Sequence, residues 1–418
     1  MVLPKDLRAR PEGDSRYMTD SLAHPRAAAP GAQGPVVPAR PRLIALDVLR
    51  GIAILGTLGT NIWIMTNSRG ILGYLTELKG QAEGWLWTER VLQQLAQGKF
   101  LGLLTIMFGI GLAIQQASAQ RGGRKWPGTY PVRAGLLLLD GVLNYLFVAE
   151  FDVLMGYAVT GLVVAYLLVT SERAQRRWLI VTASIHLAML TLIALATIFA
   201  PDDSGPEVPQ QRANPYADGS FWDLVVFRVQ EVGPFRVETL FVFAMSIALF
   251  LLGARLFRVG VFRPEGAVLR KRLMIIGFGV AAPLDLLAGV FGGGHLFLYT
   301  RYGTAPFVAL GILALVAQFY LSRTQAGFVG RRLTEVGRTA LSCYILQNLV
   351  ASILCYGWGF GLAARVAPDL YVPFTVGMYL LVSAIIVTSA HLWLRRFERG
   401  PVEWAWHRGY QLLTGTKG

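Results

Sequence analysis

Charge is scarce in this sequence. Asp, Glu, Lys and Arg make up only 15% of its 418 residues, against 54% hydrophobic residues, and the mean hydropathy is +0.48. A soluble domain carries about 25% charged residues, so the composition excludes a soluble globular protein and calls for an integral membrane protein. Cysteine is nearly absent. Cys343 and Cys355 share one apolar run, about 18 Å apart along a helix rising 1.5 Å per residue, so they do not pair with each other. No CxxC or Cys/His spacing encodes a structural zinc site. A cleavable leader is missing too: the Pro-, Ala-, Gly- and Arg-rich start has no apolar run of signal length, and residues 1–41 read as a disordered cytoplasmic tail.

What is present is a series of apolar runs of spanning length, near 43–65, 99–118, 132–149, 153–170, 178–200, 237–257, 273–291, 303–321, 337–357 and 373–394. The fold class expected is therefore an all-α polytopic membrane protein of about ten transmembrane helices. The formal charge of +14 would suggest nucleic acid in a soluble chain. Here the basic residues gather in alternate connections: Arg121, Arg124, Lys125 and Arg133; Arg173, Arg176 and Arg177; Arg255, Arg258, Arg263, Arg270, Lys271 and Arg272; Arg323, Arg331, Arg332 and Arg338. The intervening connections are neutral or acidic, with Glu150 and Asp152 in one and six acids against three arginines in 201–236. This asymmetry places both termini in the cytoplasm and gives nucleic acid no role. Two halves follow, 42–232 with five helices and the external loop 201–236, and 233–410 with five more, ahead of a tail at 411–418. Within the loop, Phe221 to Val232 reads either as an interfacial helix with Phe221, Trp222, Val225 and Val226 toward lipid or as a solvated connector.

Polar residues inside these runs are the functional candidates, because a charge in a membrane span is costly and faces a partner, a cavity or a path. In "LDVLRGIAILGTLGTN", Arg50 and Asn61 are eleven residues apart, which at 100° per residue separates them by only about 20° around the axis. Asp47 and Thr57 fall on the same narrow stripe. Asp47 and Arg50 also have the spacing of a simple ion pair. In the third run Asp140 and Asn144 share a face, and Arg50 is the expected partner of Asp140. Glu150 and Asp152 then read either as a base at the external mouth or as a solvated turn. Asp285 follows Pro283 in a glycine-rich helix that bends easily. "FGGGHLFLYTRYG" places His295 and Arg301 in an external connection, with His295 the general-base candidate. "GRTALSCYILQNLV" opens the ninth run with Arg338 and buries Gln347 and Asn348, whose side chains point about 100° apart, one toward a neighbouring helix and the other toward a cavity.

"RLIALDVLRGIAILGTLGTNI", "LAQGKFLGLLTIMFGIGLAI", "FDVLMGYAVTGLV", "GRTALSCYILQNLV" and "GPVEWAWHRGY", in this order, resemble the successive blocks of the YeiB family, known for its carboxy-terminal domain of unknown function 418. The resemblance covers about 42–410 and implies a multi-pass protein of the bacterial cytoplasmic membrane. The first block also resembles the transmembrane acyltransferase superfamily, whose acyltransferase three members have an Arg followed after ten residues by a His. The Arg carries over as Arg50; Asn61 stands where the His would be. Asn144 likewise stands where YeiB proteins commonly have His, and asparagine hydrogen bonds without carrying a proton at neutral pH.

The resemblance and the stripe together imply an acyltransferase with no permanently bound cofactor and no metal. It would take acyl-CoA from the cytoplasm onto Asp47, Arg50, Thr57, Asn61, Asn144, Asp285, Arg301, Arg338, Gln347 and Asn348. Asp140, His295 or Asp152 would activate an extracytoplasmic glycan, lipid or small-molecule acceptor. Two alternatives use the same residues: a transporter or flippase of a lipid-linked or amphipathic substrate, and a non-enzymatic membrane sensor. Membrane lipids are the further partners expected, and the oligomeric state is left open.

Overall fold

A computed structural model describes residues 44–76, 83–199, 214–323 and 325–415. The expected tail 1–41, the first part of loop 201–236 and the last three residues lie outside them. Among the described residues the secondary structure is entirely helical. The first half contributes α1 Ile44–Met65, α2 Gly70–Thr76, α3 Leu86–Ala96, α4 Lys99–Arg121, α5 Tyr130–Phe147, α6 Leu154–Leu167, α7 Glu172–Phe199 and α8 Phe221–Gln230. The second contributes α9 Val232–Phe241, α10 Phe243–Arg258, α11 Ala267–Met274, α12 Ala282–Phe291, α13 Phe297–Tyr299, α14 Ala305–Leu321, α15 Gly327–Arg338, α16 Ala340–Cys355, α17 Tyr371–Leu394 and α18 Pro401–Thr414.

Six continuous helical stretches are long and apolar enough to cross a membrane, or eight if α9 with α10 and α15 with α16 each count as one bent span. The remaining two expected spans are occupied by α5, of 18 residues, and α6, of 14. The bends are 43° between α9 and α10 and 89° between α15 and α16. The expected run 337–357 is occupied by the single helix α16; the chain turns almost at right angles at its start, at Thr339, and the amphipathic α15 lies before the turn.

Burial separates the centre of the bundle from its rim. The apolar window of α1 is 67% buried and that of α3–α4 61%, whereas those of α7 and of the stretch containing α11–α12 are only 22% buried; these two present leucine, isoleucine, valine and phenylalanine outward, as lipid-facing helices do. The two halves interleave through backbone contacts between glycines. A Cβ at Gly109 of α4 would lie 2.0 Å from the Phe250 carbonyl oxygen of α10, and one at Gly253 would lie 2.1 Å from that of Ile106. In the same reciprocal way Gly51 of α1 and Gly337 of α15 leave 2.1 and 1.9 Å to the carbonyls of Leu333 and Asp47. Small residues on facing helices permit this approach, where dispersion contacts between backbones replace a hydrophobic drive that lipid does not supply. The α1–α15 contact decides the site, because it brings Arg50 and Arg338 to one cavity.

Candidate functional site: an arginine-lined cavity and the pockets beyond it

A cavity of about 410 Å³ opens at the end of the bundle that holds the N-terminus of α1. Its apolar walls include Ile54, Leu104, Met107, Phe108 and Leu137, and its polar groups are Arg50, Gln115, Arg133, Arg338 and Glu403. The three arginines come from α1, α5 and α15 and are held differently. Arg50 Nη1 lies 3.3 Å from Asp47 Oδ1, and the Arg50 side chain remains 38% exposed, so it is anchored while reaching the cavity. Arg133 donates to Gln115 Oε1 at 2.8 Å and stacks over the Tyr410 ring at 4.5 Å. Arg338 donates through Nη2 to the Glu398 carbonyl at 3.0 Å, leaving its buried Nε without a partner among the described residues.

Glu403 does not neutralise this cluster freely. It accepts the Leu341 and Ser342 backbone N–H groups at 2.7 and 3.2 Å and the Ser342 hydroxyl, and thereby caps the N-terminus of α16. Four free N–H groups and the helix dipole make that position favourable for a carboxylate.

Tyr157, Val153 and Tyr344 form the inner wall of the cavity and at the same time line two further pockets of about 40 Å³ each. One contains Asp152, Arg236 and Glu238; the other contains Thr57, Asn61, Glu238 and Arg301. Tyr157 is held in place: its hydroxyl meets the Thr105 hydroxyl at 2.7 Å and donates to the Leu101 carbonyl at 3.2 Å. Beyond the tyrosines, Arg301 Nη2 lies 3.1 Å from Glu238 Oε1, Nη1 donates to Gln97 Oε1 at 3.3 Å and Nε to the Tyr302 hydroxyl at 2.6 Å, while Tyr302 donates to Glu238. A polar line thus runs from Arg50 past Thr57 and Asn61 to Arg301.

Of the stripe expected on the first helix, Arg50, Thr57 and Asn61 line this series of cavities, and Asp47 is buried behind Arg50 as its anchor. Gln347 and Asn348 differ from expectation. Both reach α1, Gln347 toward the Thr57 hydroxyl at 3.5 Å and Asn348 accepting from Asn61 at 3.1 Å. Asn61 and Thr57 are a helical turn apart, so side chains 100° apart on α16 both meet the α1 face, and neither lines the cavities described above.

Several candidates are taken up structurally. Asp140 does not pair with Arg50: the arginine pairs with Asp47, and Asp140 Oδ2 has no hydrogen-bond partner among the described residues. Asn144 donates to Asp152 Oδ1 at 2.8 Å, and Asp152 Oδ2 receives the Met155 N–H at 3.1 Å, capping α6. Glu150 is no solvated turn residue. It is 1% exposed, ion-paired to Arg228 at 3.1 Å and bonded by the Tyr216 hydroxyl at 3.0 Å. Asp285 is locked by Lys99, by Gln94 Nε2 at 2.7 Å and by the Thr304 hydroxyl at 2.7 Å. Arg301 sits in a π-helical turn, Thr300–Thr304, and points inward instead of lying in an external loop. The His295 backbone forms part of a 3-10 turn, Gly294–Leu296, and its side chain lies outside the described set.

Sequence reasoning missed Arg133, Glu238, Glu403 and the tyrosines. Arg133 was counted as a topology signal, Glu403 sits in a helix after the last apolar run, and Glu238 follows an arginine-flanked connection. None carries a local signal, since each joins the site through a tertiary contact.

Residues 256–412 match the family described as protein of unknown function DUF418. The carboxy-terminal part of the chain is thus similar to that family. The matched part runs from the end of α10 through α18 and contains Arg301, Arg338 and Glu403. Similarity to full-length relatives extends over the rest. The chain is 27% identical over 388 residues to the uncharacterized protein YxaH of Bacillus subtilis (87% of this chain, 93% of the relative). It is 28% identical over 389 residues to the uncharacterized protein YeiB of Escherichia coli (88% and 96%).

Proposed function

We propose that this chain is a ten-span protein of the bacterial cytoplasmic membrane, with both termini inside, that takes an acyl-CoA into the arginine-lined cavity and transfers its acyl group to an acceptor on the opposite side. Loop charge supports the orientation, which opens the large cavity to the cytoplasm. The observation that carries the reading is that Arg50, Arg133 and Arg338 line one cavity whose other walls are aromatic and aliphatic apart from Gln115 and the Glu403 carboxylate, which is engaged in capping α16. Guanidinium forks suit phosphate oxygens, and the apolar interior suits the acyl chain.

In the transfer, an acceptor hydroxyl or amine attacks the thioester carbonyl, the carbonyl C–S bond breaks as the new C–O or C–N bond forms, and CoA leaves as the thiol with the acceptor's proton. Glu238 faces both small pockets beyond the tyrosines and supplies the carboxylate for the acceptor; in this reading it replaces Asp152, whose two oxygens are already held.

A second reading, export or flipping of an amphipathic anion, is favoured by one observation: among the described residues no histidine lines these cavities. Purified protein incubated with radiolabelled acetyl-CoA or a long-chain acyl-CoA, with and without membrane-lipid extract, separates the two. Release of CoA thiol that depends on Arg133 and Glu238 supports the transferase. Saturable binding with no thiol release in any acceptor mixture contradicts it and leaves transport.

A further inference from the structure

A second basic cavity, of about 280 Å³, lies away from the proposed path, between the N-terminal turns of α7 and the C-terminal turn of α10. Arg173, Arg176, Arg255 and Arg258 line it, opposed by Glu172, with Gln175 at its side and Leu179, Leu251 and Val259 as its apolar floor. Arg258 is positioned, donating to Gln175 Oε1 at 2.5 Å and to the Ala254 carbonyl at 3.3 Å, and Glu172 stands 4.0 Å from it. Arg173, Arg176 and Arg255 are exposed and hold no hydrogen bond among the described residues, so four guanidinium groups face one carboxylate with most donors uncommitted.

We infer that this cavity binds a phosphodiester anion, the headgroup of an anionic membrane phospholipid. Two features favour a lipid over a soluble phosphate. The apolar floor continues onto the outward face of α7, where Ile180, Val181, Ile185 and Leu187 are exposed along the helix and offer a track for acyl chains. Trp178, 47% exposed nearly two turns into α7, is the kind of residue that sits at a membrane–water boundary. A basic pocket between helices at headgroup level, with an apolar wall beneath it, presents charge and chain contact together. This site does not depend on the acyl-transfer reading, since it shares no residue with that path.

The test is native mass spectrometry of the detergent-purified full chain with phosphatidylglycerol or phosphatidylethanolamine, beside Arg173→Gln/Arg176→Gln/Arg255→Gln and the matching triple lysine variant. These three arginines hold no hydrogen bond or ion pair among the described residues, and the lysine variant keeps the charge that sets topology. Expected is preferential retention of phosphatidylglycerol by the wild type, weakened on the order of a hundredfold in the glutamine variant and largely kept in the lysine variant. Equal retention of the two lipids, or unchanged phosphatidylglycerol binding in the glutamine variant, overturns the site. Equal thermal protection by glycerol 3-phosphate and by phosphatidylglycerol, at the same concentration, overturns the lipid as its source.

Discussion

Replacing Asp285 by alanine tests whether this buried carboxylate belongs to the scaffold or to the site. The Asp285 and Lys99 side chains are 1% and 9% exposed. Asp285 receives Gln94 and Thr304 in addition to the ammonium, and Lys99 donates to the Gln94 carbonyl at 2.5 Å. Removing the carboxylate leaves an ammonium held only by carbonyl dipoles. Breaking one side of such a buried pair costs about 3–5 kcal/mol, because the remaining charge has no compensation. Replacing both groups with apolar ones of similar size is close to neutral. The expected order in SDS-induced unfolding of purified protein is therefore wild type and Lys99→Met/Asp285→Leu close together, with Asp285→Ala well below both. The reasoning is refuted if Asp285→Ala loses less than about 1 kcal/mol, or if the double variant is as unstable as the single. An Asp285→Ala protein of full stability that has lost acyl-CoA binding would return Asp285 to the site.

Other expectations follow from the same geometry. Gly337→Ala places a methyl 1.9 Å from the Asp47 carbonyl, where only backbone can move, and is expected to cost about 1–3 kcal/mol or more in unfolding. Gly111→Ala adds a methyl to open space in the large cavity and is expected to be neutral or to stabilise by about 0.4–1 kcal/mol; destabilisation there would show the cavity to be differently shaped. Asn61 and Asn348, coupled at 3.1 Å, should show an interaction of about 0.6 kcal/mol in a double-alanine cycle, the usual size for hydrogen bonds between membrane helices. At α8, hydrogen bonds from the Ser220 hydroxyl and backbone N–H hold the Asp223 carboxyl below the usual carboxylate range. The cap's contribution is present above the ordinary Asp pKa and is lost as pH falls through the depressed value. Protection of the Asp223 and Leu224 amides, relative to their intrinsic exchange rates, should fall over that acidic range in wild type, whereas in Ser220→Ala it should be low at every pH.

The helical periodicity of α1 made Arg50, Thr57 and Asn61 legible, because a stripe of polar side chains in an apolar helix has one energetically acceptable direction, inward. Each of the ten apolar runs is occupied by helix for the same reason of composition. What periodicity does not encode is the partner. Asp140 and Asp285 look alike in sequence, each a lone carboxylate in an apolar run, yet Lys99 closes on Asp285 across α4 and α12 while Asp140 meets no cation among the described residues. Lys99 itself resembles a flanking charge at the edge of a span. The 89° turn at Thr339 falls where the amphipathic α15 gives way to the apolar α16; hydropathy marks that boundary but not the α1–α15 glycine contact that brings Arg338 to Arg50. Glu403 was invisible for a related reason: its role is to cap α16 from a helix sixty residues further along.

The central claim is that Arg50, Arg133 and Arg338 form one anion site at the mouth of an acyl-sized cavity, and titration calorimetry of detergent-purified protein with a long-chain acyl-CoA tests it most directly. The account predicts saturable binding that weakens at least about tenfold in each of Arg50→Gln, Arg133→Gln and Arg338→Gln. It also predicts that free CoA and the free fatty acid, each lacking half of the ligand, bind more weakly than the thioester. Undiminished binding in all three variants, or none to the wild type, would contradict it.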